Sequence, residues 1–226
     1  MNKGKDDHYQ YVRSYFDAPS LNRSSFSHRI KGIIDQADIY APACSLLEIV
    51  RKNDTACSSL MDVGCGEGLF LDRIIPRFPD CKNFVGIDFA TKVLVRAQNN
   101  SQTTRLSYLQ GDLRSLPCAS QSCDVVVCVN VLHHVHRDDL TDAITELARI
   151  TNKYLLIELR NQKTVYDFWY LPFVIRVFYK DLPLTTIPLQ NVDVLLSSLG
   201  FEKIAHRGII PFRWWCRSLV LLYKRT

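Results

Sequence analysis

The chain has 226 residues, of which 47% are hydrophobic and 23% charged, a composition typical of soluble globular proteins with a substantial core. No segment reaches the roughly 18 uninterrupted apolar residues of a membrane span, and the polar start MNKGKDDHYQ is unlike a signal peptide, so we expect a cytoplasmic protein with at most peripheral membrane contact. The net charge of +5 comes from residues 160–226, which hold ten Lys and Arg against four Asp and Glu (+6), whereas residues 1–159 hold eighteen against nineteen (−1).

Strand-like and helix-like patterns alternate along most of the chain, after an N-terminal stretch in which we expect helices. The alternation begins with the strand SLMDV, the helix LFLDRIIPRF, the strand NFVGID, the helix ATKVLVRAQNN and the strand LSYLQ. It continues with the strand CDVVVCVN, the helix DDLTDAITELARI, the strand KYLLIEL, the helix VDVLLSSLGF and the strands EKIAHRGII and SLVLLYK. This order predicts an α/β fold with a doubly wound, mostly parallel sheet of seven strands.

The division of the chain follows from that alternation. CDVVVCVN is almost continuously apolar, as expected of a parallel strand covered on both faces, and the last two strands are expected to form an antiparallel pair at the sheet edge. We interpret the chain as a single domain with four parts. These are an N-terminal helical cap (1–55), a core (56–159), a lid insertion (160–188) and a closing helix with edge strands (189–226).

Eight cysteines raise the question of disulfides or a metal site. None forms a C-x-x-C pair, and Cys118, Cys123, Cys128 and His133 recur every five residues, a spacing unlike the usual zinc patterns. We therefore expect reduced, mostly buried thiols and no metal.

A glycine-rich turn, DVGCGEG, follows the first predicted strand. Gly64, Gly66 and Gly68 alternate, which suits a backbone that bends sharply and lets another group approach closely. Open α/β sheets bind ligands at this end of their strands. A dinucleotide fingerprint would place its third glycine where Leu69 stands, and the G-K-[ST] of a phosphate-binding loop is absent.

The form D-x-G-x-G-x-G resembles the first motif of the class I S-adenosylmethionine-dependent methyltransferases. Three further segments match this family: GIDFA with Asp88, QGDLRSLP with Asp112, and CDVVVCVNVLHHV. The resemblance covers about residues 58–160 and implies a Rossmann-like fold that binds S-adenosylmethionine and releases S-adenosylhomocysteine. Several independent local signals agree on one site.

The resemblance also implies how the cofactor is held. Asp88 would accept both ribose hydroxyls, Asp112 the adenine amino group, and Asp62 would orient the ammonium, while Gly64 and Gly66 let the methionine part lie against bare backbone. The complete expected set is Asp62, Gly64, Cys65, Gly66, Gly68, Asp88, Phe89, Gly111, Asp112, Leu113 and Asn130.

Catalytic candidates cluster after the fourth and fifth strands. Some natural-product O-methyltransferases of this superfamily pair a histidine with a carboxylate there, which implies that His133 or His134 is a base oriented by Glu158. The alternative is that the histidines cap a turn or pack near the cofactor. The motifs of two other acceptor classes do not match. The residues from Asn130 are not the [DNS]-P-P-[YF] of adenine methyltransferases, and Pro117-Cys118 precedes the fourth strand, whereas the Pro-Cys nucleophile of cytosine C5 methyltransferases would follow it.

The aromatic-rich segment 160–188 falls where this fold inserts a substrate-covering element. With Tyr15, we expect Trp169, Tyr170 and Arg176 to contact the acceptor, a hydrophobic small molecule that could carry a negative group. Two alternatives stay open: an RNA or protein methyltransferase that uses the basic C-terminal third, and a non-catalytic cofactor-binding module.

Overall fold

The structure is a computed structural model. It describes residues 3–17, 40–54, 56–101, 103–160, 185, 188–208 and 218–226. Most of the predicted lid insertion lies outside these residues, as do Trp169, Tyr170 and Arg176.

The described strands form one seven-stranded sheet with the order β3-β2-β1-β4-β5-β7-β6. The strands are β1 (Ser59–Val63), β2 (Asn83–Asp88), β3 (Leu106–Gln110), β4 (Cys123–Cys128), β5 (Thr151–Arg160), β6 (Phe201–Gly208) and β7 (Ser218–Arg225). The first five run parallel, and β7 pairs antiparallel with both β5 and β6. The predicted doubly wound, mostly parallel sheet is therefore confirmed.

The antiparallel strand β7 lies one position in from the sheet edge, and β6 occupies the edge itself. Burial explains this order: the first six residues of β7 are all buried, whereas β6 is exposed at most positions. The more apolar strand takes the place that is covered on both sides, and the polar strand tolerates the edge.

Helices cover both faces of the sheet. They are α1 (Lys3–Asp17), α2 (Ala41–Asn53), α3 (Leu69–Ile74), α4 (Thr91–Asn100), α5 (Leu140–Ile150) and α6 (Leu189–Ser198). Successive β5 residues belong to different core clusters: Leu155 and Ile157 pack with the buried side of α5, whereas Tyr154 and Leu156 pack with that of α2. Successive side chains of a strand point to opposite faces, so the two clusters lie on either side of the sheet.

Helix boundaries differ from the sequence prediction at three places. The predicted helix over 69–78 is an α-helix only to Ile74 and continues as a 3-10 turn (Ile75–Arg77), because Pro76 has no N–H for the helical ladder. The helix predicted to start at 138 starts at Leu140, after a 3-10 turn, and the closing helix starts at Leu189, directly after Pro188. No helix within the described ranges combines the length and apolarity needed to cross a membrane.

Candidate active site

The residues singled out from the sequence gather at the carboxyl edge of the sheet. Because β1 pairs in parallel with β2 and β4, the segments that follow these strands meet at one edge. The glycine turn follows β1, Asp88 ends β2, Gly111 follows β3, and Asn130 follows β4. The fold thus brings together the four segments on which the resemblance rests.

The three glycines of the turn meet different requirements. All have positive φ: +80° at Gly64, +56° at Gly66 and +83° at Gly68. A Cβ on Gly64 would lie 2.2 Å from the Val131 side chain, and one on Gly68 would lie 2.5 Å from the Tyr108 hydroxyl. At Gly66 a Cβ would meet nothing within 4 Å. Packing therefore dictates the first and third glycines, and the middle one opens onto free space.

Asp88 fixes the glycine turn in place. Its Oδ2 accepts a hydrogen bond from the Gly66 N–H (3.0 Å), and its Oδ1 accepts one from the Ala90 N–H (2.9 Å). The turn is also held by the Gly64 N–H, which donates to the carbonyl of Ile87 at 2.6 Å. Burial raises the pKa of the Asp88 carboxyl. A carboxylate has about four acceptor positions, so two backbone donors leave room for ligand hydroxyls.

Asp62 is a second buried carboxylate at this edge, only 3% exposed at the end of β1. Desolvation, together with the charge of nearby Asp88, raises the pKa of Asp62 to about 8. Two buried carboxylates without a cation between them repel each other, and a cationic ligand would relieve that repulsion. Cys65 is buried beneath the turn, and its Sγ would lie 2.9 Å from a Cβ on Gly86, in keeping with a packing role.

Two adjoining cavities lie along this edge. The first is lined by Tyr9, Val12, Val63, Gly64, Asp88, Phe89, Gly111, Asp112, Leu113, Arg114, Val131, His134 and Val135. The second is lined by Val12, Phe16, Tyr40, Gly64, Cys65, Gly66, Glu67, Leu69, Asp88, Phe89, Val93, Val129, Asn130, Val131 and His134. Together they form one elongated site that runs from the loop after β3 to the glycine turn, because they share the lining residues Val12, Gly64, Asp88, Phe89, Val131 and His134.

Helix α1 forms the outer wall of both cavities. Val12 is 2% exposed and lines both, while Tyr9 lines the first cavity and Phe16 the second. Tyr15, the acceptor contact expected from this helix, is not among the residues that line either cavity; its ring packs edge-on against that of Phe16, with 5.3 Å between centroids, while Tyr11 is 41% exposed. A helix turns a given face inward only every third or fourth residue, so a contiguous stretch could not line the site.

The candidate base cluster follows β4. Asn130 has a φ of +63°, and its N–H donates to Oε2 of the buried Glu158 at 2.5 Å. Glu158 thereby fixes the start of the turn that carries His133 and His134, whose rings lie 4.1 Å apart. Of these two histidines, His134 lines both cavities. The Phe16 ring packs edge-on against His134 at 5.3 Å.

At the opposite end of the site, Asp112 is engaged by a residue that sequence reasoning missed. The Arg114 guanidinium donates from Nε to Oδ1 (3.0 Å) and from Nη2 to Oδ2 (2.7 Å) of Asp112. Burial alone would raise the pKa of Asp112, but the bonds and charge of Arg114 outweigh it and lower that pKa. The D-x-R spacing in QGDLRSLP was a visible signal for this pair.

Among the described residues, no group of three or more His, Cys, Asp or Glu side chains is placed to hold a metal ion. The seven cysteines in this part of the chain are free thiols, and burial raises the pKa of Cys57 and of Cys123 to about 12. These thiols are therefore poorly reactive.

Comparisons with known proteins agree with this geometry. Residues 60–153 match the methyltransferase domain family. A solved magnesium protoporphyrin IX methyltransferase from Synechocystis, with bound S-adenosylhomocysteine, has the same fold: the TM-score is 0.71, at 19% identity, over 96% of this chain and 100% of that one. Over residues 60–153 the chain is therefore similar in sequence to methyltransferase domains, and it shares its fold with a solved methyltransferase.

The curated relatives match this chain over only part of their own length. An uncharacterised methyltransferase of Mycobacterium tuberculosis is 30% identical over 106 residues, which is 47% of this chain and 49% of the relative. The chain therefore spans about half the length of such relatives. The tRNA N(3)-cytidine methyltransferase METTL2 of Bos taurus is 25% identical over 223 residues, covering 87% of this chain and 58% of its own length.

Proposed function

We propose that the protein transfers a methyl group from S-adenosylmethionine to an oxygen of a small, hydrophobic acceptor that carries a negative group. The observation that carries this proposal is the wall formed by α1. Val12 and Phe16 line the second cavity beside His134, so apolar and aromatic side chains cover part of its opening. A concave, partly covered site of this kind with apolar walls suits a small hydrophobic molecule.

The residues of the site suit the proposed cofactor. S-adenosylmethionine supplies a methyl group on a cationic sulfonium and brings an ammonium but no phosphate. Asp62 and Asp88 are two buried carboxylates that a cation would neutralise, and Gly66 leaves the backbone open for close approach. Asp88 retains acceptor positions for ribose hydroxyls, and the loop at Asp112 would hold the adenine. The chain's own part in catalysis is to orient both reactants and to remove a proton.

Cofactor affinity should depend on pH through Asp62. The pKa of this group is about 8 in the free protein, so below pH 8 most molecules carry it protonated. A bound cation favours the ionised form, so binding should release a proton, and affinity should rise from about pH 6 to pH 8 and then level off. Calorimetry in two buffers of different ionisation enthalpy measures that release. Asp62→Asn should remove the pH dependence, and a wild-type affinity that stays flat would contradict the assignment.

A buried cation at the carboxyl end of β5, close in sequence to the catalytic candidate Glu158, is our support for an anionic acceptor. Arg160 ends β5 and is 5% exposed; it lies on the same face of the sheet as Glu158, two residues earlier. Its partner in the neighbouring strand, Ser218, is buried as well. The apolar pattern of β5 thus changes to polar side chains at its carboxyl end, next to Asn130. Similarity in fold to the magnesium protoporphyrin IX methyltransferase, over almost the whole chain, is consistent with such an acceptor.

The proposed base is His134. His134→Ala should lower turnover by roughly 100-fold or more, the usual contribution of a positioned base, while S-adenosylhomocysteine affinity stays within a few fold. The acidic limb of the pH–rate profile should disappear, since the variant has no imidazole to protonate there. His133→Ala is the matched neighbour and should have a smaller effect. Wild-type turnover in both variants would instead assign the histidines to packing of the turn.

Methylation of RNA is the second candidate. The tRNA methyltransferase relative and the excess charge of residues 160–226 favour it. In the described part of that region, however, Lys203 pairs with Asp193 at 2.5 Å, and Arg225 donates to the carbonyls of Ala148 and Thr151. A methyl-labelled cofactor incubated with cell extract split into lipid, small polar, RNA and protein fractions distinguishes the candidates. Our proposal requires label in a small-molecule fraction.

A further inference from the structure

We propose that Arg114 and Tyr9 form the adenine end of the cofactor site, with Arg114 positioning the carboxylate of Asp112 toward the adenine amino group and Tyr9 supporting Arg114. Helix α1 would then contribute to cofactor binding through Tyr9, in addition to forming the outer wall of the cavities. This inference rests on the proposed use of S-adenosylmethionine.

The first step concerns the orientation of Asp112. Besides the two bonds from the Arg114 guanidinium, Oδ1 accepts a hydrogen bond from the Arg114 backbone N–H at 3.0 Å. The guanidinium is planar and its donors are fixed, so a two-point contact sets the plane of the carboxylate. Oδ1 thus accepts two hydrogen bonds and Oδ2 accepts one, so an acceptor position remains on Oδ2. Asp112 lines the first cavity beside Gly111 and Leu113.

The second step concerns what holds Arg114. Its guanidinium lies over the Tyr9 ring, 3.9 Å from the centroid, and its Nη1 is 3.8 Å from Asp139 Oδ2. The Tyr9 hydroxyl donates to the same Asp139 oxygen (2.8 Å) and accepts a hydrogen bond from the His136 N–H (3.1 Å). Tyr9 is therefore locked at both its ring face and its hydroxyl, and Arg114 cannot swing away without breaking these contacts.

The third step joins α1 to this group. Lys5 Nζ donates to Asp139 Oδ1 at 2.7 Å, and Nε2 of His8 donates to the His134 carbonyl at 2.9 Å. At the other end of the helix, Asp17 Oδ1 accepts from the N–H of Lys92 at 3.0 Å. The helix is anchored at both ends across the cavities. An isolated, part-exposed Asp–Arg pair would contribute little, but this pair belongs to a connected network.

The test uses two ligands that differ only in the base. S-adenosylhomocysteine carries the amino group, and S-inosylhomocysteine carries an oxygen in its place, which a carboxylate repels. Wild-type protein should bind the adenine ligand at least tenfold more tightly by calorimetry, because a site built around a polar group rejects the analogue that lacks it. In Arg114→Gln the affinity for S-adenosylhomocysteine should fall about tenfold and the preference should shrink to threefold or less.

Two further substitutions separate positioning from charge and from folding. Arg114→Lys keeps the charge but not the two-point contact, so its preference should resemble that of Arg114→Gln. Tyr9→Phe removes only the hydroxyl and should reduce the preference partially, with an unfolding temperature near that of wild type. Arg51→Gln is the matched control, because Arg51 pairs with Glu48 (2.9 Å) on α2, outside the residues lining the two cavities. It should leave both affinities unchanged.

The outcomes are distinct. The inference is wrong if the wild-type protein binds S-adenosylhomocysteine and either Arg114→Gln or Arg114→Lys keeps the wild-type preference for it. It is also wrong if these variants lose affinity for both ligands equally, because Arg114 and Tyr9 would then have only a structural role. If the wild-type protein binds neither ligand, the proposed function fails together with it.

Discussion

Asp88→Asn is expected to weaken S-adenosylhomocysteine binding by roughly 100-fold or more while the protein still folds. The carboxylate is proposed to accept both ribose hydroxyls, and hydrogen bonds to a charged group are worth about 1.5–3 kcal/mol each. Its oxygens also hold the N–H groups of Gly66 and Ala90 in the free protein. Asparagine keeps one acceptor oxygen, so one of these backbone bonds survives, whereas alanine would leave both donors buried without an acceptor.

Calorimetry measures the affinity of Asp88→Asn for S-adenosylhomocysteine, and thermal unfolding measures whether the variant is still folded. Asp80→Asn is the matched control, since Asp80 is exposed in the turn before the amino end of the same strand. A second signature should accompany the loss of affinity. The charge of Asp88 is one cause of the raised pKa of Asp62, so the pH dependence of binding should move to lower pH in Asp88→Asn. Near-wild-type affinity would remove Asp88 from the site.

Gly64→Ala is expected to be the most destabilising change in the glycine turn. The new methyl group would lie 2.2 Å from Val131 Cγ2, and φ of +80° is strained for any residue with a Cβ. The strained backbone costs about 1–3 kcal/mol and overpacking a similar amount, together a large part of the 5–15 kcal/mol that holds a typical domain folded. Urea unfolding measures the loss.

Two further variants separate the overpacking contribution from the backbone-strain contribution to the loss of stability. Gly64→Ala combined with Val131→Ala should recover the overpacking part but not the backbone part, giving a favourable coupling between the two positions. Gly66→Ala meets no neighbouring atom, so it should cost only the backbone strain at φ +56°. Its methyl group would enter the cavity, and the variant should lose cofactor affinity with little loss of stability. Equal stability of Gly64→Ala and Gly66→Ala would refute this division.

Local patterns in the sequence were sufficient for most of the fold. Most of the β-strands follow from short apolar runs, and the spacing of DVGCGEG places the turn at the correct strand end. The order of the last two strands could not be read in the same way, because it depends on the relative burial of β6 and β7 within the assembled sheet. The early end of α3 follows from Pro76, which the sequence shows directly.

The candidate site was less predictable because its contacts join distant parts of the chain. Tyr9 meets Arg114 and Asp139, and Glu158 meets Asn130, across separations that no local pattern encodes. The face of α1 was the exception: Tyr9, Val12 and Phe16 recur at helical spacing, which a periodicity argument would have found.

The most direct test of the central claim follows the labelled methyl group into its product. Wild-type protein and Asp88→Asn are incubated with methyl-labelled S-adenosylmethionine and the extract, and the label is counted after separate nuclease and protease digestion. We predict one labelled, organic-extractable small molecule, formed by the wild type, strongly reduced with Asp88→Asn and unaffected by either digestion. Label that stays with macromolecules until nuclease or protease releases it would contradict methylation of a small acceptor.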